Sequence, residues 1–329
     1  CNAYGKANES AIALVFTLGL ALSACAVDEA APRPPAVTFK HDPNVLHILV
    51  GGQPFADYIY FSEDITRPHF AHVKTPAGIQ VTRNRPPGPE DLQDHSTMHP
   101  GIWMSFGDLN GNDYWRLKAK VEHEMFIQPP EGGEGEGRFA VRNYYWNKEG
   151  TERIASEEAV YRIVSLHESY LLIWESTFAP YGDTEKIVFG DQEEFGLGIR
   201  VQTRLAEQFD GVITDSTGRR GARDIWGKQA DWIDYSGMLD GKWIGMTIMP
   251  APDNFRKSWY HARDYGLIAA NPFGREAMKA GPKSEVIVNK GDRLTLRYGV
   301  LIHSSDRPED VDLTGAYQSF LRLLNEGRR

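Results

Sequence analysis

The residues best suited to chemistry crowd into one stretch, Thr82 to Trp115: TRNRPPGPEDLQDHSTMHPGIWMSFGDLNGNDYW. His95 and His99 can take up or release a proton near neutral pH. Arg83 can fork onto an oxyanion or a ring hydroxyl, or pair with Asp94. Trp103 and Trp115 each offer a flat apolar face and one N–H donor. The glycine and proline content is that of a loop set on a rigid scaffold to meet a ligand. A polar ligand with apolar faces suits this mixture, and sugars answer that description. His99, just before a strand, is a candidate acid or base on a sugar ring; the alternative is an imidazole bonded to the loop backbone. The His95–His99 spacing suits a zinc pair only on a helix, and Ser96, Thr97, Pro100 and Gly101 argue against a helix here. Asn110-Gly111 reads first as a tight hairpin turn and second, through Asn110, as a ligand contact.

Two later segments add partners. Glu193 and Glu194 stand at the head of GLGIRV, where neighbouring side chains alternate faces, so only one enters a given cleft. Glu194 is the candidate base, and the alternative for both is a solvated charge pair. In SWYHARDYG, an extended backbone puts His261, Arg263 and Tyr265 on one side and Asp264 on the other. His261 is the second catalytic candidate. Arg263, Asp264, Tyr265 and Asn271 are candidate substrate contacts, with an Arg263–Asp264 loop brace as the alternative. Trp226 is a wall of the cleft or a core indole. An acid and a base across a ring suffice for a mutarotase-like isomerase, and a lyase or dehydratase uses the same pair. A metal-dependent oxygenase needs three or more converging ligands, here His95, His99 and Glu194. No cofactor is expected, with a divalent metal left open.

These residues need a scaffold. Short runs rich in β-branched and aromatic residues, among them VLHILV (45–50), RFAVRNYYW (138–146), YLLIWESTFAP (170–180) and DRLTLRYGVLIH (292–303), recur with turn signals every 8–15 residues. IQVTR (79–83) reads as one more strand, and EGGEGEG (131–137) as a solvated hairpin tip. Only Pro308-Glu309-Asp310, with Leu313, Tyr317, Phe320, Leu321 and Leu324 behind it, predicts a helix. Without a βαβ rhythm, the class is all-β: one large antiparallel β-sandwich over 45–329 with one C-terminal helix. Residues 26–44 read as a flexible tether. Residues 1–25 read as a signal segment, with an apolar run (11–22) too short to span a bilayer and a Leu-Ser-Ala-Cys ending. In a lipoprotein signal of this kind Cys25 is acylated after cleavage. The expectation is therefore a periplasmic or membrane-anchored protein that touches the membrane only through an N-terminal lipid. The 329 residues carry a net charge of -9 with no basic patch, which argues against a nucleic-acid partner.

TPAGIQVTRNRPPG, MHPGIWMSFGDLNGNDYW, EEFGLGIRV and SWYHARDYGLIAANPFG resemble the PmoA-like family, a domain of unknown function that also carries the label methane oxygenase. The resemblance runs over about residues 45–305. It implies an exported bacterial protein with a galactose-mutarotase-like β-sandwich that handles carbohydrates. A membrane copper monooxygenase subunit needs several apolar runs of about 20 residues, and the body has none. Many members pair two histidines before Arg-Gly-x-Trp. Here Met98-His99-Pro100-Gly101-Ile102-Trp103 offers one, so roles needing adjacent histidines do not carry over. The reading is an exported carbohydrate-active enzyme with a sugar-sized cleft; the competing class is a non-catalytic glycan-binding lipoprotein.

Overall fold

The computed structural model describes residues 33–166 and 168–326. The signal segment, Cys25 and the first part of the tether lie outside the described residues. In chain order the elements are β1 (Ala36–Asp42), β2 (Val45–Val50), β3 (Gln53–Ile59), β4 (His69–Ala71), β5 (Ile102–Phe106), β6 (Val121–Glu134), β7 (Glu136–Trp146), β8 (Arg153–Ser165) and β9 (Ser169–Pro180). They continue with β10 (Lys186–Phe189), β11 (Phe195–Arg200), β12 (Val212–Asp215), the one-turn helix α1 (Ala222–Ile225), β13 (Ile233–Leu239), β14 (Lys242–Pro250), β15 (Trp259–Arg263), β16 (Leu267–Asn271), β17 (Val286–Asn289), β18 (Leu294–Ser305) and α2 (Leu313–Glu326).

Sixteen strands form one antiparallel ribbon, β12-β13-β14-β18-β9-β8-β7-β6-β1-β2-β3-β4-β5-β11-β16-β15, and β10 pairs with β17 apart from it. The ribbon folds over on itself at β1, which pairs with β2 on one side and β6 on the other. Its two arms meet face to face through aromatic side chains. Tyr58 of β3 lies 5.2 Å from Tyr161 of β8, Phe70 of β4 5.7 Å from Trp174 of β9, and Phe106 of β5 5.2 Å from Phe178 of β9. Side chains that alternate along each strand send every second residue into this shared core. The result is the antiparallel sandwich expected from the strand pattern.

Three boundaries differ from expectation. The tether stops short: Ala36–Asp42 is strand, because buried Val37 and half-buried Phe39 give it an inward face. IQVTR is not a strand, holding only isolated bridges from Gln80 to Lys74 and from Thr82 to Val201, since the Pro76–Gly78 turn confines it. The C-terminal helix starts at Leu313 rather than Pro308, which sits in a separate 3-10 turn. Asp312 caps the helix, its Oδ1 accepting the Gly315 N–H at 2.8 Å. Tyr317 and Phe320 on α2 then pack on Leu171, Ile173, Met249 and Leu301. EGGEGEG does form the β6–β7 hairpin tip, with Gly135 in the turn between the two strands.

Candidate functional site

Four neighbouring strands, β5, β11, β16 and β15, carry the site on the face turned away from the main core. On β11, Phe195, Leu197 and Ile199 point into the core, so Gly196, Gly198 and Arg200 point the other way. Gly198 faces Trp103 across the β5–β11 register. A Cβ there would lie 2.7 Å from the Trp103 ring, so only glycine lets the indole lie flat on the strand. Trp103, Trp115, Leu267 and Ala269 make a small apolar floor.

Over this floor lies the loop 83–101. Arg83 is its scaffold: from beneath, its buried guanidinium donates to the carbonyls of Leu92 (2.9 Å), Asp94 (2.6 Å), His95 (3.0 Å) and His99 (3.3 Å). All its Nη donors serve the backbone, so Arg83 braces the loop instead of meeting a substrate. The loop returns to β5 through Gly101, at φ +147°, where a Cβ would sit 2.2 Å from the Phe70 carbonyl oxygen.

The loop presents His95, Met98 and His99 to a hollow that is closed by Trp115, Arg116, Glu194, His261, Tyr265 and Leu267. The three sequence-predicted catalytic residues, His99, His261 and Glu194, therefore meet, together with His95 and Tyr265. The hollow measures about 60 Å³, well below the roughly 300–1,000 Å³ of a drug-sized ligand site. It is not the sugar-sized cleft expected. It has room for one polar substituent, because the rings of Tyr265, His95, His99 and Trp103 stack in a column that fills the space. Successive centroids are 5.4, 4.6 and 5.1 Å apart.

His95 carries the arrangement best suited to proton transfer. Its Nδ1 is 2.8 Å from Asp94 Oδ2, and Asp94 is gripped by two bonds of 2.7 Å from Arg200. With Nδ1–H donated to the carboxylate, Nε2 is left with its lone pair. Burial alone would raise the Asp94 carboxyl, but the bonds from Arg200 and His95 outweigh it and hold it at about 2. His95 itself is 37% exposed and sits at φ +48°, a left-handed backbone that a non-glycine residue keeps only where its surroundings enforce it.

His99 is differently placed. Trp115 Nε1 lies 3.3 Å from its Nε2 and Arg200 Nη1 3.3 Å from its Nδ1. Both ring nitrogens face donors; a neutral imidazole has one acceptor nitrogen, so only one of the two contacts is a hydrogen bond, and each nitrogen is covered by a protein group. Burial, reinforced by Arg200, holds its pKa well below the usual histidine range. His261 is 2% exposed, and neither ring nitrogen has a hydrogen-bond partner among the described residues. Its Nε2 lies 3.3 Å from Glu193 Oε1. Burial pushes its pKa down to about 4 against the pull of Glu193, so the ring is neutral at pH 7.

The two glutamates part, although they lie in a bend before β11 and not on the strand. Glu194 enters the hollow, paired with Arg116, which also holds Asp113 at 3.0 Å. Glu193 turns to Trp226 Nε1 (2.6 Å) and to Arg263. Arg263, Asp264 and Trp226 border a separate open depression of about 440 Å³, so Arg263 and Asp264 lie beside the hollow, not in it.

Three further candidates fall elsewhere. Trp103 is wholly buried beneath His99 and is floor, not platform. Asn271 spends its side chain on the Gln192 and Glu193 carbonyls and on the Phe273 and Gly274 N–H groups. Asn110 mimics a strand partner for β10, bonding the Lys186 carbonyl at 3.1 Å and the Val188 N–H at 2.6 Å. Sequence reasoning missed Arg200 and Arg116 altogether. An arginine inside the apolar run FGLGIRV was the available signal for Arg200; nothing local marked Arg116.

Asp94, His95 and His99 offer ligand atoms within 4.8 Å of one another. They suit a metal poorly: Asp94 is taken by Arg200, His99 faces two donors, and the Arg83 and Arg200 charges stand beside the point where a cation would sit.

A family model described as a family of unknown function, DUF6807, matches residues 45–316. The chain belongs to this family. No curated protein matches it. Among solved structures, the DUF6807 chain is similar to the galactosidase domain of the α-galactosidase–sucrose kinase AgaSK, with a TM-score of 0.45, 8% identity and coverage of 82% of this chain and 42% of that one. It is similar to the GH36 α-galactosidase AgaB from Geobacillus stearothermophilus, with a TM-score of 0.40, 11% identity and coverage of 82% and 41%. It is also similar to a galactose mutarotase related enzyme from Lactobacillus acidophilus, with a TM-score of 0.36, 10% identity and coverage of 83% and 98%. The chain thus spans about two fifths of the length of the galactosidases.

Proposed function

We propose that this DUF6807 chain is an exported carbohydrate-active enzyme that moves a proton on a sugar or modified oligosaccharide, by isomerase or lyase/dehydratase chemistry. The observation behind this reading is the Asp94–His95 pair on one wall of a hollow that His261 and Glu194 line as well. His95 takes the part first assigned to His99. Its Nε2 accepts a proton from the substrate, and the Asp94 carboxylate stabilises the imidazolium that forms. Neutral His261 donates a hydrogen bond to the oxygen on which charge develops, and Glu194, held by Arg116, returns or accepts the second proton. The substrate sends one substituent into the hollow while its ring rests at the mouth against His95 and Tyr265. Burial keeps the Tyr265 phenol protonated up to about 12, so it serves as a donor there.

The chain's own groups supply both acid and base, and turnover in this reading is metal-independent. Dialysis against a chelator is expected to leave it unchanged. Cys25 anchors the protein outside the cytoplasm in the same reading. The hollow's small volume favours a second possibility, a glycan binder without turnover, and one experiment separates the two. Incubation with oligosaccharides, including oxidised and uronic ones, is followed by mass spectrometry and NMR. Loss of one water marks a dehydratase, rearrangement at constant mass an isomerase, and an intact ligand with a thermal shift a binder. His95→Ala and His261→Ala are each expected to keep the fold and lose roughly 10²–10⁴ in turnover; activity retained in both rejects the assignment.

A further inference from the structure

The open depression beside the hollow, of about 440 Å³, has an apolar part and a polar rim. Ala222, Ala262 and the Trp226 indole form the first, and the indole is fixed by its Nε1–H donation to Glu193 at 2.6 Å. Arg223, Arg263, Asp264 and Glu207 form the second, and all four reach solvent. Arg223 and Asp264 are exposed, and neither side chain bonds or pairs with another among the described residues. Glu207 accepts the Ala222 N–H at 3.1 Å and has no ion pair among the described residues. The depression and the hollow lie on either side of the β15–β16 hairpin: His261 and Tyr265 line the hollow, while Arg263 and Asp264, between them in sequence, line the depression. Glu193 stands in the partition, 3.3 Å from His261 Nε2 on one side and bonded to Trp226 and Arg263 on the other.

A ligand longer than one ring that lies at the mouth over Tyr265 therefore enters the depression by crossing Arg263 and Asp264. The rim mixes guanidinium donors with carboxylate acceptors, and its charges decide what fits. An anion gains from Arg223 and is repelled by Asp264 and Glu207; a cation meets the reverse. A hydroxyl both donates and accepts, so an uncharged polyol uses both kinds of group, and a sugar ring also sets apolar C–H faces against the alanines and the indole. We propose that the depression is a subsite for a second, uncharged sugar ring, so that the substrate is a glycan of two or more units and not a monosaccharide. The proposal rests on the placement of the first ring against His95 and Tyr265, and it adds Arg223 and Asp264 as the residues that select for length.

The test is saturation-transfer NMR titration of the full chain with cellobiose, lactose and melibiose, each set against the methyl glycoside of its non-reducing ring. At least one disaccharide is expected to bind about tenfold more tightly than its methyl glycoside. Arg223→Ala and Asp264→Ala are each expected to weaken that disaccharide about tenfold and to leave the methyl glycoside unchanged. Both side chains are exposed and free of internal bonds, so the fold is kept, and a thermal melt checks this. Equal affinity of the wild type for every disaccharide and its glycoside overturns the proposal, as does binding of none of them. So does undiminished disaccharide affinity in either variant. Cellobiouronic acid is expected to bind no more tightly than cellobiose, and tighter binding overturns the uncharged ring. A disaccharide preference with no probe converted, followed by NMR, upholds the subsite and removes proton transfer at His95 instead; conversion of a methyl glycoside without a disaccharide preference does the opposite.

Discussion

At the scale of single residues, the site depends on side chains kept in one state by burial. Neutral His261 is the clearest. Its pKa falls from 6.5 when unfolded to about 4 in the fold, so between those values the unfolded chain binds more protons and stability drops as pH drops. The contribution is fully present above 6.5 and is lost as pH falls through the window to about 4. The full shift corresponds to roughly 3 kcal/mol. His261→Gln is therefore expected to flatten the loss of stability from pH 6.5 to 4 in urea titrations, and an unchanged slope contradicts a neutral buried ring. Arg83 makes the complementary point. As the donor to four loop carbonyls, Arg83→Ala is expected to cost about 3 kcal/mol and lower the melting temperature. A loss of substrate affinity at full stability would instead return Arg83 to the ligand.

At the scale of elements, strands are tied together away from the site by a small charge cluster. Asp57 on β3 accepts from His47 of β2 at 2.6 Å and from His72, just past β4, at 2.7 Å. The bond to Asp57 lifts the His47 pKa above its usual 6.5. Burial would raise Asp57, yet the two histidines prevail and draw it below 3.8. The signs give a window. The His47 contribution is complete below pH 6.5 and vanishes as pH rises through its folded value. The Asp57 contribution is complete above 3.8 and vanishes as pH falls through its own. Asp57→Asn is expected to destabilise most between pH 4 and 6.5 and least towards pH 9, as read from melting temperatures across pH. A pH-independent difference would mean the cluster is not ionised. Elements also show where local reading stops. The strand at IQVTR was wrong because an alternating pattern says nothing about whether the backbone pairs in a continuous ladder, and here it holds its neighbours only through isolated bridges. The start of α2 lies at Leu313 and not at Pro308 because proline and acidic residues also open a 3-10 turn.

At the scale of the whole molecule, β1 is the seam between the two arms. Val37 is wholly buried there and pairs with Val50 of β2 and Gly133 of β6. Val37→Asp puts an unpaired charge into that seam, and a loss of about 3 kcal/mol or more is expected in urea unfolding. A loss under 1 kcal/mol would show the arms hold without it.

Hydrophobic alternation, turn residues and one amphipathic stretch are local properties of the chain, so the all-β class, most strands and the C-terminal helix were legible in the sequence. The parting of Glu193 and Glu194 comes from a bend before β11, which alternation does not describe. The meeting of His95, Glu194, His261 and Tyr265 in one hollow was suggested by residue type, but it is the pairing of β5, β11, β16 and β15 that brings them together. Which histidine keeps a free nitrogen was decided only in three dimensions. Arg200 lies 106 positions from Asp94 in the chain, and Trp115 and Arg200 together close off His99. Hydrogen-bond capacity is spent between residues remote in sequence, and no spacing along the chain records where it goes.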